Sequence, residues 1–272
     1  MMVHMTSQPN VRPWGKSMPD DQRHLCLAAD IEKYSRFDTQ GQRTAQAQLA
    51  RVLRTAAERS GLDHSTWSVQ PQGDMEFAVL PAGTSEQVVL GGYVTHLAAE
   101  LGGYNATRRP AGRIRLRLAI DTGVAATAAL GFSGPAPIAV ARFLNAPEVK
   151  RALADARSAS LVVVISDRLY QDVVRSRFHG HDAEQYRRIH VEQKGFAGYG
   201  WVRLPGVDPQ DAGEPWPAAP EGGPQPGGPR PLARAAGAEQ PSFVQQGVHG
   251  TAVQGVIHGS VVHGGVPGGA GR

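Results

Sequence analysis

A proline- and glycine-rich stretch limits how much of this 272-residue chain can fold around a core. From Pro205 to Gln240, nine of 36 residues are proline, and large aliphatic residues are almost absent. Such a segment buries too little apolar surface to offset the entropy lost on ordering its backbone. We therefore predict a disordered N-terminus over residues 1–22, a globular domain over residues 23–205 and a linker over residues 206–240.

Charge divides unevenly along the chain. The first 204 residues carry 25 Lys and Arg against 19 Asp and Glu, whereas the remainder carries three against five. A net charge of about +6 on the globular part favours ligands that bear phosphate. No Lys/Arg-rich block with interleaved aromatic residues marks a nucleic-acid surface, so we expect no specific nucleic-acid partner.

Apolar residues occur in short runs only. No run of about 18 apolar residues is present, and residues 1–21 lack the apolar stretch of a signal peptide. The single cysteine, Cys26, lies in a strand-like run, where a small buried residue is the expected role and a reactive thiol the alternative. We expect a soluble, cytoplasmic protein without a membrane partner.

Hydrophobic periodicity predicts alternating strands and helices through the globular part. The predicted strands are residues 24–29, 66–70, 75–80, 113–121, 161–165, 186–192 and 199–204, and the predicted helices are residues 42–59, 84–101, 135–156 with a break near Pro147, and 167–177. This order gives an α/β fold with a mixed sheet flanked by helices. Its core, β-α-β-β-α-β, is the ferredoxin-like palm.

The strand at residues 113–121 separates two kinds of side chain. Its apolar positions fall on one face and its basic positions on the other: Ile114, Leu116, Leu118 and Ile120 against Arg113, Arg115 and Arg117. The pattern predicts one buried face. A solvated arginine face is the expected arrangement, and contact with phosphates is the alternative.

Two aspartates stand at the ends of strand-like runs. Asp30 follows the first strand, and Asp74 lies in the Gly73-Asp74 turn of the predicted hairpin. Carboxylates brought together at strand ends can hold Mg²⁺ against a triphosphate. Capping of nearby backbone amides is the alternative role for each aspartate.

The segment from about His24 to Pro205 resembles the catalytic domain of class III nucleotide cyclases, which comprise adenylate and guanylate cyclases. Within that family it is similar to a divergent branch common in actinobacteria. The motifs that carry the resemblance are Asp30-Ile31, Gly73-Asp74, the arginine-rich strand into Asp121-Thr122-Gly123, Ala141-Arg142, Ile165 to Tyr170, and Trp201 to Pro205.

The resemblance implies a site for two Mg²⁺ or Mn²⁺ ions and a nucleoside triphosphate. In the family, the metals activate the ribose 3′-hydroxyl and neutralise the triphosphate while pyrophosphate leaves. By similarity, Asp30 and Asp74 would be metal ligands, together with the Ile31 carbonyl. Arg142 would stabilise charge on the α-phosphate, with simple contact to solvent as the alternative.

The resemblance fails at the positions that read the substrate. Gln70 stands where the family places a base-selecting Lys or Glu before the Gly73-Asp74 turn, and Ile138 stands where an Asn positions the ribose. The other base-reading position falls near Gly131, which has no side chain. Loss of positioning readily costs on the order of 10²-fold in rate. The sequence therefore predicts that the metal ligands of the family's site are retained and that the residues recognising the purine are lost. The substrate-binding positions are occupied by Gln70, Gly73 and Ile138.

A short repeat occupies residues 241–272. Val-His-Gly or a close variant recurs four times, at Val248, Val253, Ile257 and Val262. After a proline-rich spacer, the repeat indicates a tether that ends in a docking segment for an effector protein. A flexible glycine-rich tail is the alternative.

Three functions are compatible with these features. The first is a sensor or regulatory module for signalling, which binds a nucleotide and Mg²⁺ and acts on an effector through residues 241–272. The second is an active cyclase with an altered base preference, in which the Gln70 amide reads the base. Either would work as a homodimer, since the family's sites lie between two palms. The third is a metal-free scaffold.

Overall fold

The computed structural model describes residues 22–176 and 181–207. The chain divides into two units, residues 1–224 and 225–272, and every described residue belongs to the first. The predicted linker lies outside the described residues from residue 208 onward, and the predicted docking tail lies wholly outside them.

Seven strands form one mixed sheet in the order β2-β3-β1-β4-β7-β9-β8, and β5 and β6 form a separate hairpin. The strands are β1 (Arg23–Ile31), β2 (Ser68–Gln72), β3 (Met75–Val79), β4 (Leu116–Val124), β5 (Ala126–Ala128), β6 (Gly131–Ser133), β7 (Leu161–Ser166), β8 (Arg187–Gln193) and β9 (Phe196–Arg203). Strands β4 and β7 run parallel, and all other neighbours are antiparallel. The predicted α/β palm with a mixed sheet is confirmed.

Helices cover both faces of the sheet. They are α1 (Thr39–Arg59), α2 (Glu86–Val88), α3 (Val94–Ala106), α4 (Pro135–Leu144), α5 (Pro147–Asp155) and α6 (Asp167–Leu169), with π-helical turns at Val89–Tyr93 and Tyr170–Val174 and 3-10 turns at Tyr34–Arg36, His64–Thr66, Pro110–Gly112 and Ala183–Gln185. The break between α4 and α5 falls where Pro147 starts the second helix, because proline suits a first helical position and not a helix interior. Among the described residues, no helix is long and apolar enough to cross a membrane.

The alternation of side chains along β1 explains why the sheet has two cores. Leu25, Leu27 and Ala29 pack with residues of α1 and α3, whereas Cys26 and Ala28 pack with residues of α4 and α5. The Cys26 side chain is fully buried, and burial, reinforced by the charge of Asp121, raises the pKa of its thiol. The expected role of Cys26 as a small buried residue is confirmed.

Two sequence predictions differ from the structure in instructive ways. Residues 84–101 were predicted as one helix, but after Ser85 caps the first turn the helix passes through a π-helical turn before α3. Residues 167–177 likewise begin as α6 and continue as a π-helical turn. Such turns leave a backbone carbonyl free for other partners, which periodicity alone does not reveal. The β5–β6 hairpin was not predicted.

Candidate functional site

The backbone of the sheet brings the two predicted aspartates together. Asp30 lies near the end of β1 and is paired across the sheet with Met75, the residue after Asp74. The backbone N–H of Ile31 donates to the carbonyl of Asp74 over 3.1 Å. Gly73 makes the turn possible, since its φ of 64° lies in the left-handed region. Four predicted site residues therefore lie together where β1 ends and the β2–β3 turn begins: Asp30, Ile31, Gly73 and Asp74. We call this cluster at the strand ends the aspartate edge.

The Asp30 carboxylate is engaged by an arginine that the sequence did not identify. Arg117 on β4 lies directly opposite Asp30 in the sheet. Its Nε donates to Asp30 Oδ1 over 2.7 Å, and its Nη2 donates to Oδ2 over 2.5 Å. The two side chains are only 14% and 11% exposed. Among the described residues, the hydrogen-bond partner found for the Asp30 carboxylate is this guanidinium, not the local backbone amides of the alternative role.

Charges around the pair act in opposite directions on Asp30. Burial raises the pKa of Asp30, the hydrogen bonds and charge of Arg117 lower it, and the Asp74 charge raises it. Lys150 on α5 also lowers the pKa of Asp30. Partial burial and Arg117 in turn lower the pKa of Lys150. The charges of one further carboxylate and two cations therefore act on the Asp30 carboxylate.

The expectation of a solvated arginine face is wrong for two of its three residues. Arg117 is held by Asp30, and Arg115 donates to the carbonyls of Ala156 over 2.7 Å and Ala159 over 2.8 Å. Arg115 also donates to the carbonyl of Leu153. Cations at a helix C-terminus satisfy its last carbonyls, so Arg115 fixes the end of α5 beside the sheet. Arg113 alone is exposed.

The two positions expected to read the base contact each other. The Gln70 amide nitrogen donates to the carbonyl of Leu130 over 3.3 Å, at the tip of the β5–β6 hairpin. A Cβ on Gly131 would lie 2.3 Å from Gln70 Oε1. Gly131 also has a φ of 129°, which side-chain-bearing residues rarely adopt. The Gln70 amide therefore fills the space that a side chain at position 131 would use.

The α4 positions present little polar chemistry. Ile138 lies in the first turns of α4 with 38% of its surface exposed. One turn later, Arg142 is half-buried, and its Nε is buried with no hydrogen-bond partner among the described residues. The partly exposed Arg142 side chain is compatible with contact to solvent and with contact to a ligand, so both roles stay predictions.

The donors of the aspartate edge suit a hard cation in kind. Asp30, the Ile31 carbonyl and Asp74 offer only oxygen, the ligand that Mg²⁺ prefers. Within residues 22–176 and 181–207, no group of three or more His, Cys, Asp or Glu could hold a metal ion. A metal here would rest on two carboxylates and one carbonyl, and Arg117 would have to release Asp30.

Comparison with known proteins identifies the fold. No protein-family profile matches the chain, and no curated relative does. Among solved structures, the guanylyl cyclase Cya2 superposes with a TM-score of 0.50 at 12% identity, over 72% of this chain and 96% of that one. An adenylate/guanylate cyclase/hydrolase from Silicibacter pomeroyi gives a TM-score of 0.49 at 18% identity, over 68% and 99%. The described domain has a class III nucleotide cyclase-like fold.

Proposed function

We propose that this domain binds a nucleoside triphosphate with Mg²⁺ at the aspartate edge and works as a nucleotide-responsive regulatory module rather than as an efficient cyclase. The observation that carries the proposal is the bidentate pair of Arg117 with Asp30, next to Asp74. This pair keeps a potential metal ligand neutralised in the ligand-free protein. Binding would then exchange one set of ionic contacts for another.

The exchange uses groups already present at the edge. Asp30, Asp74 and the Ile31 carbonyl would hold Mg²⁺, which supplies neutralisation of the triphosphate. A guanidinium released from Asp30 is suited to bidentate contact with a phosphate. Lys150 adds a second cation at the same edge. The chain therefore offers both oxygen donors for a metal and nitrogen donors for phosphates.

The poor match at the substrate-binding positions is the reason to favour nucleotide binding over catalysis. Ile138 offers no hydrogen bond for a ribose, and Gln70 is already engaged with Leu130. Without these contacts, the 3′-hydroxyl would not be held in line with the α-phosphate, which is where most of the rate in such chemistry arises. Arg142, with its free Nε, would still be able to contact the α-phosphate.

A specific observation favours a cyclase of altered base preference as the second candidate. Gln70 and Gly131 are brought together in space although they are distant in sequence. The Gln70 amide can donate and accept, so it could read a base other than the usual purine. Incubation with each of the four nucleoside triphosphates and Mg²⁺ or Mn²⁺ tests this candidate. Release of a cyclic product and pyrophosphate from any of them would support it.

A homodimer is part of the proposal because one stretch of the described chain exposes three large apolar residues. Leu130 is 91% exposed, Ile138 38% and Val124 36%. All three lie between residues 124 and 138, and we propose this stretch as the contact surface of a homodimer. We expect sedimentation to show a dimer for the full chain and a shift towards monomer for Leu130→Ser. An unchanged dimer in Leu130→Ser would place the contact elsewhere.

Thermal stabilisation by nucleotide tests the main proposal. With a Mg²⁺-nucleotide at about 100 times its Kd, a native-state ligand stabilises by about 2.7 kcal/mol. We expect this stabilisation for the full chain and its loss in Asp74→Asn, because that change removes a metal ligand without touching the Arg117 pair. The matched control is Asp155→Asn, on the exposed end of α5.

Two results would contradict the proposal. One is an equal stabilisation of Asp74→Asn and Asp155→Asn, and the other is no stabilisation by any nucleoside triphosphate. The second result would favour the metal-free scaffold. Action on an effector through residues 241–272 stays a prediction, since these residues lie outside the described part.

A further inference from the structure

A cavity lies away from the aspartate edge, on the other face of the sheet. It has a volume of about 430 Å³ and is bounded by α3, by the residues before β7 and by the end of β9. Arg203 at that end pairs with Val163, which belongs to the core under α1 and α3. Asp30 instead continues the face of β1 that carries Cys26 and Ala28. The cavity is therefore separate from the proposed nucleotide site.

The chemistry of the lining is polar and carries one charge. Arg203 is the only ionisable residue among the described residues that line the cavity. Hydroxyl and amide groups come from Thr95, Ser158, Ser160 and Gln185. Small residues of α3, among them Gly102, form the rest of one wall, and a Cβ at Gly102 would meet nothing within 4 Å. The lining thus has hydrogen-bond donors, open space and no carboxylate to compete for the arginine.

Arg203 is held in place but not satisfied. Its guanidinium lies 5.3 Å from the centre of the Tyr186 ring, and its Nη2 donates to the carbonyl of Leu90 over 3.4 Å. Leu90 belongs to the π-helical turn Val89–Tyr93. The Arg203 Nε is buried and has no partner among the described residues. A guanidinium that is fixed by these contacts and lines a cavity without a carboxylate is well arranged for an anionic group.

We propose that this cavity binds a small organic anion, a carboxylate or a phosphate ester, whose charged group contacts Arg203 and whose polar groups contact the surrounding hydroxyls. The volume falls within the range of roughly 300–1,000 Å³ that is usual for small-molecule sites. The inference does not depend on nucleotide binding at the aspartate edge.

The position of the cavity gives such a ligand a structural consequence. Pro205, Gly206 and Val207, the last residues that the structure describes, also line it. Their turn is closed by one backbone hydrogen bond, from the Val207 N–H to the Leu204 carbonyl over 3.3 Å. A bound anion would connect α3 to these last described residues. Occupancy of the cavity would therefore make their turn more rigid.

Titration of the full chain with matched small molecules tests the proposal. The probes are malonate and its neutral diamide, and glycerol phosphate and glycerol, each followed by calorimetry at low ionic strength. We expect saturable binding of at least one anion and at least about tenfold weaker binding of its neutral counterpart, since the charge-assisted bond to Arg203 is lost. The malonate and phosphate arms distinguish the two sources of negative charge.

Neighbouring glycines provide a matched pair of variants. Gly102→Leu should fill the cavity and weaken anion binding by about tenfold or more, while leaving Arg203 intact. Gly103→Leu is the control: it lies on the same helix, has the same open surroundings and does not line the cavity. Leucine is a better helix former than glycine, so both variants should fold. Arg203→Lys keeps the charge and should weaken binding less than Gly102→Leu.

Either of two outcomes would overturn the proposal. The first is the absence of saturable binding for both malonate and glycerol phosphate. The second is equal anion affinity in the Gly102→Leu and Gly103→Leu variants, which would place any binding elsewhere on the surface. Nucleotide stabilisation lost in Asp74→Asn but kept in Gly102→Leu would show that the two sites are independent.

Discussion

The aspartate edge and the neighbouring α4 and hairpin region carry opposite kinds of chemistry. At the aspartate edge, Asp30 and Arg117 are buried and satisfy each other. Around α4 and the hairpin, Leu130 and Ile138 are exposed and Arg142 keeps an unused donor. The aspartate edge is a closed region, because its charged side chains satisfy each other. The α4 and hairpin region is an open region, because it is exposed and offers few polar groups to a substrate. Under the proposed function, the groups that would contact phosphates are more complete than the groups that would orient a nucleoside.

The largest effect we expect comes from breaking the closed region. Arg117→Leu would leave the Asp30 carboxylate buried without its partner, which typically costs 3–5 kcal/mol, so we expect a loss of about that size in urea-induced unfolding. Arg113→Leu, at an exposed position shortly before β4, should change the free energy of unfolding by only about 0.5 kcal/mol. Replacing both partners, in Asp30→Leu with Arg117→Leu, should recover most of the loss. Equal destabilisation by Arg117→Leu and Arg113→Leu would mean that the pair is not buried in solution.

An intermediate effect is expected at Gly131, where the β5–β6 hairpin contacts Gln70 of β2. Gly131→Ala places a Cβ 2.3 Å from Gln70 Oε1 and imposes an unfavourable φ, so we expect a destabilisation of about 1–3 kcal/mol. Gly112→Ala is the control, because nothing lies within 4 Å of a Cβ there and its φ is not positive. Adding Gln70→Ala to Gly131→Ala should restore the steric part of the loss only. No difference between the two alanine variants in thermal unfolding would refute the contact.

Much of the fold was readable from the sequence because its signals are local. Alternation along residues 113–121 placed Leu116, Leu118 and Ile120 correctly in the core, although the opposite face is also buried at Ala119 and Asp121. Pro147 marked the break between two helices. Ser85 and Ser166 are of a residue type that favours helix N-caps, and each accepts from a backbone N–H three residues later. Periodicity and capping report on neighbouring residues, so they survive without knowledge of the tertiary structure.

The partners of the candidate site were not readable, because they depend on register between distant strands. Asp30 and Arg117 are 87 residues apart in sequence and meet only through the pairing of β1 with β4. Arginine at alternate positions of a strand predicts a solvent-exposed face. The prediction fails when a buried carboxylate lies opposite the arginine on the neighbouring strand. A search for acidic residues that could lie across from Arg117 would have suggested the pair. Lys150 gave no sequence signal, since its place at the edge depends on the packing of α5.

The smallest structural effect, and the sharpest test of the open region, is expected for Ile138→Asn. Because Ile138 is 38% exposed, the change should alter the free energy of unfolding by only about 0.5 kcal/mol. It would nevertheless add a hydrogen-bonding group where a ribose needs orientation, and improved positioning is worth up to the order of 10²-fold in rate. We therefore expect cyclic product to appear or to rise in an assay with Mn²⁺ and each nucleoside triphosphate.

Val124→Asn is the matched control, because Val124 is 36% exposed and receives the same side chain. A rise in cyclic product for Ile138→Asn alone would show that the aspartate edge is competent and that orientation is what the open region lacks. A rise in cyclic product for both variants would mean that an added asparagine on the surface raises the measured product wherever it is placed. A third result is that Ile138→Asn binds nucleotide as the parent chain does and forms no product. In that case, orientation of the ribose is not the missing element. The deficiency then lies in the aspartate edge, where Arg117 holds the Asp30 oxygens that a metal would need.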